Sequence, residues 1–398
     1  MSNLYNASVN SIGIGQVIQA SGPPNSCWLP CAGQVLLKAD YPEYVSKCSD
    51  LHPLRWSSFR GIPISNPSSY SPYAISNIGD YVVIVGANNL VHYSADGGLT
   101  WNTSTLNSTN AHYDITNNGS RFVVSEYGAA YAEYSDDYGA TWTRVSCPGA
   151  TSWRYVAWNG TYFLAIALSS LSTVARSTDG ITWSSVSTGV SYSLGGALKV
   201  DNSGTFLTNL NYYGSGFDKY FFATSTDGQN WSVETLSPFL DYTYDNTYWN
   251  FYKFFKNKWY AFCGAGNYNN WFATSSDGLT SWKHYPFYWK NQYYNYGLVI
   301  GGVEIGDDLI LMGDDNAEAL YISTDGLSDW KIRNIAQTDR TRNLIAGYDD
   351  WILIPCYSTL DSYVYRGVKT LYDSDDYFQL PRYAFTEVAG AKSYIKVT

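Results

Sequence analysis

Ser94-Ala-Asp96-Gly-Gly98-Leu-Thr100-Trp101 is the stretch on which the reading of this chain turns. It returns as Ser135–Trp142, Ser177–Trp183, Ser225–Trp231, Ser275–Trp282 and Ser323–Trp330, each with Ser-x-Asp, then Gly, then Trp. The tryptophans stand 41, 41, 48, 51 and 48 residues apart. A period of about 40–50 residues marks a repeat array, in which each repeat is one supersecondary unit and neighbours share a core.

Between copies the chain divides into four short strands. The one before each copy reads like Leu90-Val-His-Tyr-Ser94 or Phe221-Phe-Ala-Thr-Ser225. Ahead of it lies an apolar run opened by a polar turn, such as Tyr81-Val-Val-Ile-Val85 or Asp308-Leu-Ile-Leu-Met312, and earlier still a short strand such as Tyr73-Ala-Ile-Ser76. The Trp then opens the fourth strand. In the repeated turn, Ser and Asp side chains accept bonds from turn amides, Gly takes positive φ and Trp buries a large surface. Asp96, Asp137, Asp179, Asp227, Asp277 and Asp325 are therefore read as structural, not catalytic.

A seventh unit falls in two pieces. Asn343-Leu-Ile-Ala346, Asp350-Trp-Ile-Leu-Ile354 and Ser362-Tyr-Val-Tyr-Arg366 supply three strands with no complete turn after them. Trp56-Ser-Ser-Phe59 sits 45 residues before Trp101, where a fourth strand belongs. The expectation is an all-β, seven-bladed β-propeller whose ring is closed by the N-terminal strand, which removes an open sheet edge. The repeats resemble the Asp-box (BNR) repeats of sialidase-type propellers, a likeness specific for fold and weak for function.

Residues 1–53 and 369–398 lie outside the expected propeller of 54–368. The first carries Pro23-Pro24, Cys27-Trp-Leu29-Pro-Cys31-Ala-Gly33 and Tyr41-Pro42; the last carries Phe378-Gln-Leu380-Pro381 and Tyr394-Ile395-Lys396. In this order they resemble the two halves of a bacteriophage tail-collar domain, with Ala32 where that family usually has Asp. The resemblance implies a small split terminal domain with the propeller inserted, a virion tail protein assembled in the host cytoplasm, other tail proteins as partners, and a homotrimer.

Composition narrows the functions. The chain has 398 residues with only 15% charged, 38 Tyr and 15 Trp, and a net charge of −10. No basic stripe for nucleic acid is present, no apolar run spans a membrane, and the first residues show no signal peptide. Cys27 and Cys31 are close, but a zinc site wants four ligands, so no metal and no cofactor is expected and the cysteines are read as reduced thiols.

The connections between second and third strands, and from each fourth strand to the next blade, share one end of the ring. Its longest members belong to blades 4 to 6 and are rich in aromatics: Tyr212 and Tyr213, then Tyr242, Tyr244, Tyr248 and Trp249, then Tyr285, Tyr288, Trp289, Tyr293 and Tyr294. Such rings suit stacking on sugar faces at low entropic cost, and they suit a protein interface equally. Host cell-surface glycan is the expected ligand. A structural tail subunit packed against other virion proteins is the alternative.

A sialidase-like glycoside hydrolase is a second alternative, and its residues are incomplete. Phe59-Arg60-Gly61-Ile62-Pro63 resembles the motif holding that family's first arginine, but the inserted Gly61 breaks it. Arg154, Arg340 and Arg342 fit the ligand end by position, and Asp218, Asp241, Asp245 and Glu304 are carboxylates placed there only by location. Glycoside hydrolysis needs two carboxylates at a set separation, and no such pair is legible. His52, His92, His112 and His284 are dispersed and form no triad. The expectation is a non-enzymatic adhesin with no catalytic residues.

Overall fold

The computed structural model describes residues 17–20, 28–30, 35–37, 56–64, 70–150, 152–167, 169–194, 197–214, 217–235, 247–265, 271–280, 282–286, 299–313, 319–323, 326–327, 331–334, 340–341, 344–357, 362–369, 377–379 and 392–396. It contains two compact units, Phe59–Gly367 and a second made of Met1–Ser58 with Val368–Thr398.

The larger unit is a seven-bladed β-propeller of antiparallel sheets. Blade 1 runs Pro72–Ile78, Tyr81–Gly86, Leu90–Ser94 and Asn102–Thr105, each strand bonded to the next in sequence. Blades 2 to 6 repeat that meander. In blade 7 the strand beside Ser362–Lys369 is Trp56–Ile64, so an early segment of the chain completes the last sheet, as the split repeat predicts. The first strands of successive blades touch in an unbroken cycle, from Pro72–Ile78 through Ile115–Asn117, Trp153–Trp158, Lys199–Val200, Thr247–Phe255 and Val299–Ile305 to Ala346–Tyr348 and back. These strands form the inner wall of the ring.

The core lies between blades. Each second strand is apolar on both faces because a neighbouring blade covers each face, so its residues read as a run rather than an alternation. Val82 and Ile84 pack with Trp351, Leu353 and Val364 of blade 7. The alternate residues Val83 and Val85 pack with Ile115, Phe122, Val124 and Trp142 of blade 2. The pattern continues with Val123 and Phe163, Leu164 and Phe206, Leu207 and Trp259, and Tyr260 and Leu309.

The Ser-x-Asp turns close these interfaces. Ser135 Oγ accepts the Gly139 N–H at 2.8 Å and donates to Asp137 Oδ1 at 2.9 Å. Asp137 in turn accepts from the Thr141 N–H and Oγ1, and Trp142 Nε1 donates to the Gly139 carbonyl at 3.1 Å. The serine and aspartate bonds recur at Ser94, Ser177, Ser225 and Ser275, with Gly98, Gly180, Gly228 and Gly278 donating to the serine, and Trp101, Trp183 and Trp231 donate to the Gly98, Gly180 and Gly228 carbonyls. Asp325 lies outside the described residues. Each turn also lies on the second strand of the preceding blade. A Cβ on Gly139, Gly228 or Gly278 would stand 2.7, 2.6 or 2.6 Å from Val83, Leu164 or Leu207, respectively. Side chains bridge the same joints: Arg176 Nη1 donates to the Asp227 carbonyl at 2.9 Å, Arg366 Nε to the Gly97 carbonyl at 2.8 Å, and Arg121 to the Asp179 carbonyl. Trp351 Nε1 donates to Asp80 Oδ1 at 2.9 Å across the blade 7–blade 1 closure.

In the smaller unit the two ends of the chain pair with each other. Lys392–Lys396 lies between Val17–Ala20 and Trp28–Pro30, antiparallel to both, and Val35–Leu37 pairs with Tyr377–Gln379.

Candidate functional site

Strand direction sorts the residues by end. The start of each first strand lies beside the end of the second, as Pro72 faces Gly86 and Trp153 faces Ala167. The Ser-x-Asp turns, at the ends of the third strands, are therefore at the opposite end of the ring. Their carboxylates are held as turn locks. Burial pushes Asp227 up, but the Asn230 and Gln229 N–H groups, the Asn230 amide and the Ser225 hydroxyl outweigh it, and its pKa falls to about 2. Asp96, Asp137, Asp179 and Asp277 are likewise held below the usual range, burial again opposed by the bonds of the turn.

At the loop end, blades 1 to 3 build an aromatic platform. Tyr73 opens the first strand of blade 1 and Tyr113 precedes that of blade 2; their rings stack at 4.7 Å. Tyr127 follows the second strand of blade 2, meets Tyr113 edge-on at 5.2 Å and is 39% exposed. Arg154, from the first strand of blade 3, lays its guanidinium 3.5 Å from the centre of the Tyr113 ring. Its buried Nε has no hydrogen-bond partner. A cation over a tyrosine face is attracted by the ring quadrupole, which keeps this arginine beside the platform.

Charge gathers along the inner wall. Asp114 accepts the Val156 N–H at 3.1 Å and the Ile115 N–H at 3.0 Å. Burial raises its pKa to about 6, opposed by Lys199, these amides and Arg154. Burial pulls Lys253 down; Glu304 on the next blade opposes this and Lys199 adds to it. Among the described residues, three cations, Arg154, Lys199 and Lys253, thus share this wall with two carboxylates, Asp114 and Glu304. That is a local excess of positive charge in a chain of net charge −10. The wall and platform together offer flat apolar faces, hydroxyls and fixed cations.

The aromatic residues expected at the ligand end divide differently from the sequence reading. Tyr212 and Tyr213 are in strands, not a loop: Phe206–Gly214 and Phe217–Ser225 form a long hairpin in which they face Lys219 and Asp218. Tyr248 and Trp249 lie within the first strand of blade 5, opposite Gly264 and Cys263, next to a bulge. Tyr285 belongs to the fourth strand of blade 5; its ring stacks on Phe272 at 5.1 Å and packs on the core between blades 5 and 6. Tyr242, Tyr244, Tyr288, Trp289, Tyr293 and Tyr294 lie outside the described residues, as do Arg342, Asp241, Asp245, Cys27 and Cys31. Sequence reasoning placed Arg154 at this end, and missed its tyrosine partners. Tyr73 and Tyr113 occupy matching places ahead of consecutive repeats, which marks their position in the blades but not their stacking. Cys147 is buried and free, with burial pushing its thiol well up.

No protein-family model and no curated protein matches the chain. Among solved structures it is similar to YCF48 bound to a D1 peptide, at 17% identity and a TM-score of 0.57, covering 79% of this chain and 96% of that one. YCF48 from Cyanidioschyzon merolae is similar at 14% identity and TM-score 0.56, over 79% and 99% of the two chains. Virginiamycin B lyase from Staphylococcus aureus is similar at 11% identity and TM-score 0.57, over 78% and 99%. At these identities the likeness is one of fold, and it defines the class: a seven-bladed β-propeller.

Proposed function

We propose that the chain is a bacteriophage tail protein whose propeller adheres to host-surface glycan through its loop end without cleaving it. The observation that carries this reading is the Tyr73–Tyr113–Tyr127 platform with Arg154 across it. Tyrosine rings supply contact area for a sugar at low entropic cost, and Tyr127, 39% exposed, is the ring of the three most open to a ligand. The platform would extend the aromatic surface expected from blades 4 to 6 around the same end. The tail assignment rests on the collar-like residues of the two chain ends, whose strands interleave in one unit. A trimer assembled through that unit would turn weak sites into avidity. The deciding experiment measures binding of the full chain to envelope glycan from candidate hosts, with released reducing sugar assayed in the same tube. Saturable binding without release, weakened at least ten-fold by Tyr127→Ala or Trp249→Ala, supports adhesion. Sugar release moves the protein to the hydrolases. Absence of binding to every host glycan, with capture of a tail protein instead, makes it a structural subunit.

A further inference from the structure

One residue before Tyr113, His112 is wholly buried, as are Glu126 and Glu133. His112 comes from the connection between blades 1 and 2, its N–H bonded to the Gly86 carbonyl at 3.0 Å. Glu126 directly follows the second strand of blade 2, Phe122–Ser125, and Glu133 sits in the third. One nitrogen or oxygen from each of the three lies within 4.8 Å of the others.

The two carboxylates are held from outside. Arg144 donates to Glu126 from Nε and Nη2, both at 2.8 Å, and Asn110 Nδ2 donates at 2.7 Å. Glu133 Oε2 accepts the Asn107 N–H at 2.8 Å and Nδ2 at 2.9 Å. Glu133 Oε1 and both His112 nitrogens have no hydrogen-bond partner. Nε2 and Oε1 face each other at 3.8 Å, too far for a hydrogen bond. Buried polar atoms left so are uncommon and point to a missing ion or water. Arg144 is 32% exposed, so solvent screens part of its charge, whereas both carboxylates are 0% exposed.

We propose that His112 Nε2, Glu133 Oε1 and a Glu126 oxygen hold one divalent metal ion of the zinc class. An ion about 2.1 Å from both bare atoms bridges their gap with an open ligand–metal–ligand angle. One imidazole and two carboxylates form a borderline-hard set suited to zinc. Arg144 offsets part of the Glu126 charge, and the two buried carboxylates still leave net negative charge for a cation to meet. Arg144, Asn107 and Asn110 orient the ligand carboxylates, as outer partners do in metal centres. The ion would pin the blade 1–blade 2 connection beneath the tyrosine platform. This inference is independent of what the platform binds.

The test uses the full chain stripped with a chelator, then titrated with Zn2+ by calorimetry, with metal content measured after dialysis. One equivalent per chain is expected, with affinity falling as pH drops because the imidazole must bind deprotonated. Glu133→Gln and His112→Asn are each expected to weaken uptake at least ten-fold. X-ray absorption of the Co2+-loaded wild-type protein, which needs no variant to fold, is expected to show one imidazole with carboxylate oxygens. Less than one equivalent in the wild type, unchanged uptake in both variants, or sulfur in the coordination shell would each overturn the proposal.

Discussion

Replacing Gly228 by Ala tests whether the repeated turn acts as a joint between blades or only as a local bend. Gly228 has φ of +73° and is buried; an added Cβ would meet Leu164 of blade 3 at 2.6 Å from Cδ1 and 3.2 Å from Cδ2. Gly189 has φ of +72°, is exposed, and a Cβ there would meet nothing within 4 Å. The left-handed conformation costs a non-glycine residue about 1–2 kcal/mol, and this term is common to both substitutions. Only Gly228→Ala adds overpacking against a filled core, about 1–3 kcal/mol. The expected loss is therefore about 2–5 kcal/mol for Gly228→Ala against about 1–2 for Gly189→Ala. Urea unfolding followed by tryptophan fluorescence measures both. Leu164→Ala removes the atoms in the way, so the double variant should lose less than the sum of its parts by about 1–3 kcal/mol. Equal losses for the two glycine variants, or additivity with Leu164→Ala, would refute the joint.

Ser135→Ala leaves the buried Gly139 N–H without its acceptor and should cost about 1–3 kcal/mol in the same assay. Trp351→Phe removes the bond to Asp80 at the ring closure, and a loss of about 1–3 kcal/mol is expected, read as a lower unfolding midpoint. Asp96, Asp137, Asp179, Asp227 and Asp277 have folded pKa values below the unfolded one. Their stabilisation is present above an unfolded pKa of about 4 and is lost as pH falls toward 2. A urea midpoint that stays flat from pH 5 to below about 3 would contradict this. Asp114 has the opposite sign: with its folded pKa raised to about 6, its contribution is most favourable in acid and is lost as pH rises through that value. A carboxyl carbon resonance for Asp114 that titrates below about 4.5 would show that the wall does not desolvate it.

The fold was legible because its signals are local and repeated. Ser-x-Asp, Gly and Trp fall within one turn, and an apolar run such as Tyr81-Val-Val-Ile-Val85 stays apolar on both faces only if both are covered. Ring closure could be read because Trp56 keeps the spacing of the series. Strand ends were less legible. Gly214-Ser-Gly216 looks like the start of a loop at Asn211, yet the two strands of blade 4 continue pairing to Gly214 and Phe217. Tyr285 looks like loop composition but falls where the fourth strand must run beside Phe272. The platform was hidden for another reason: Tyr73, Tyr113 and Arg154 come from three successive blades, each about one period apart. Nothing local tells a tyrosine that will stack on its neighbour blade from one that will face solvent. His112, Glu126 and Glu133 show the same limit, since no standard ligand spacing joins them.

The strand Trp56–Ile64 has a consequence for how the protein is made. Its partner, Ser362–Lys369, leaves the ribosome only after six other blades have been synthesised. Those six are meanders of sequential hairpins and can be laid down in order as the chain emerges. The early strand must meanwhile wait with an unmatched edge, for on the order of tens of seconds at ordinary translation rates. The segments Val17–Ala20 and Trp28–Pro30 wait for Lys392–Lys396 in the same way. The ring and the small unit thus both shut only after Ser362–Lys369 and Lys392–Lys396 have emerged, and a ribosome that stalls within blade 7 would hold a nascent chain with exposed sheet edges, a ready substrate for chaperones or for aggregation.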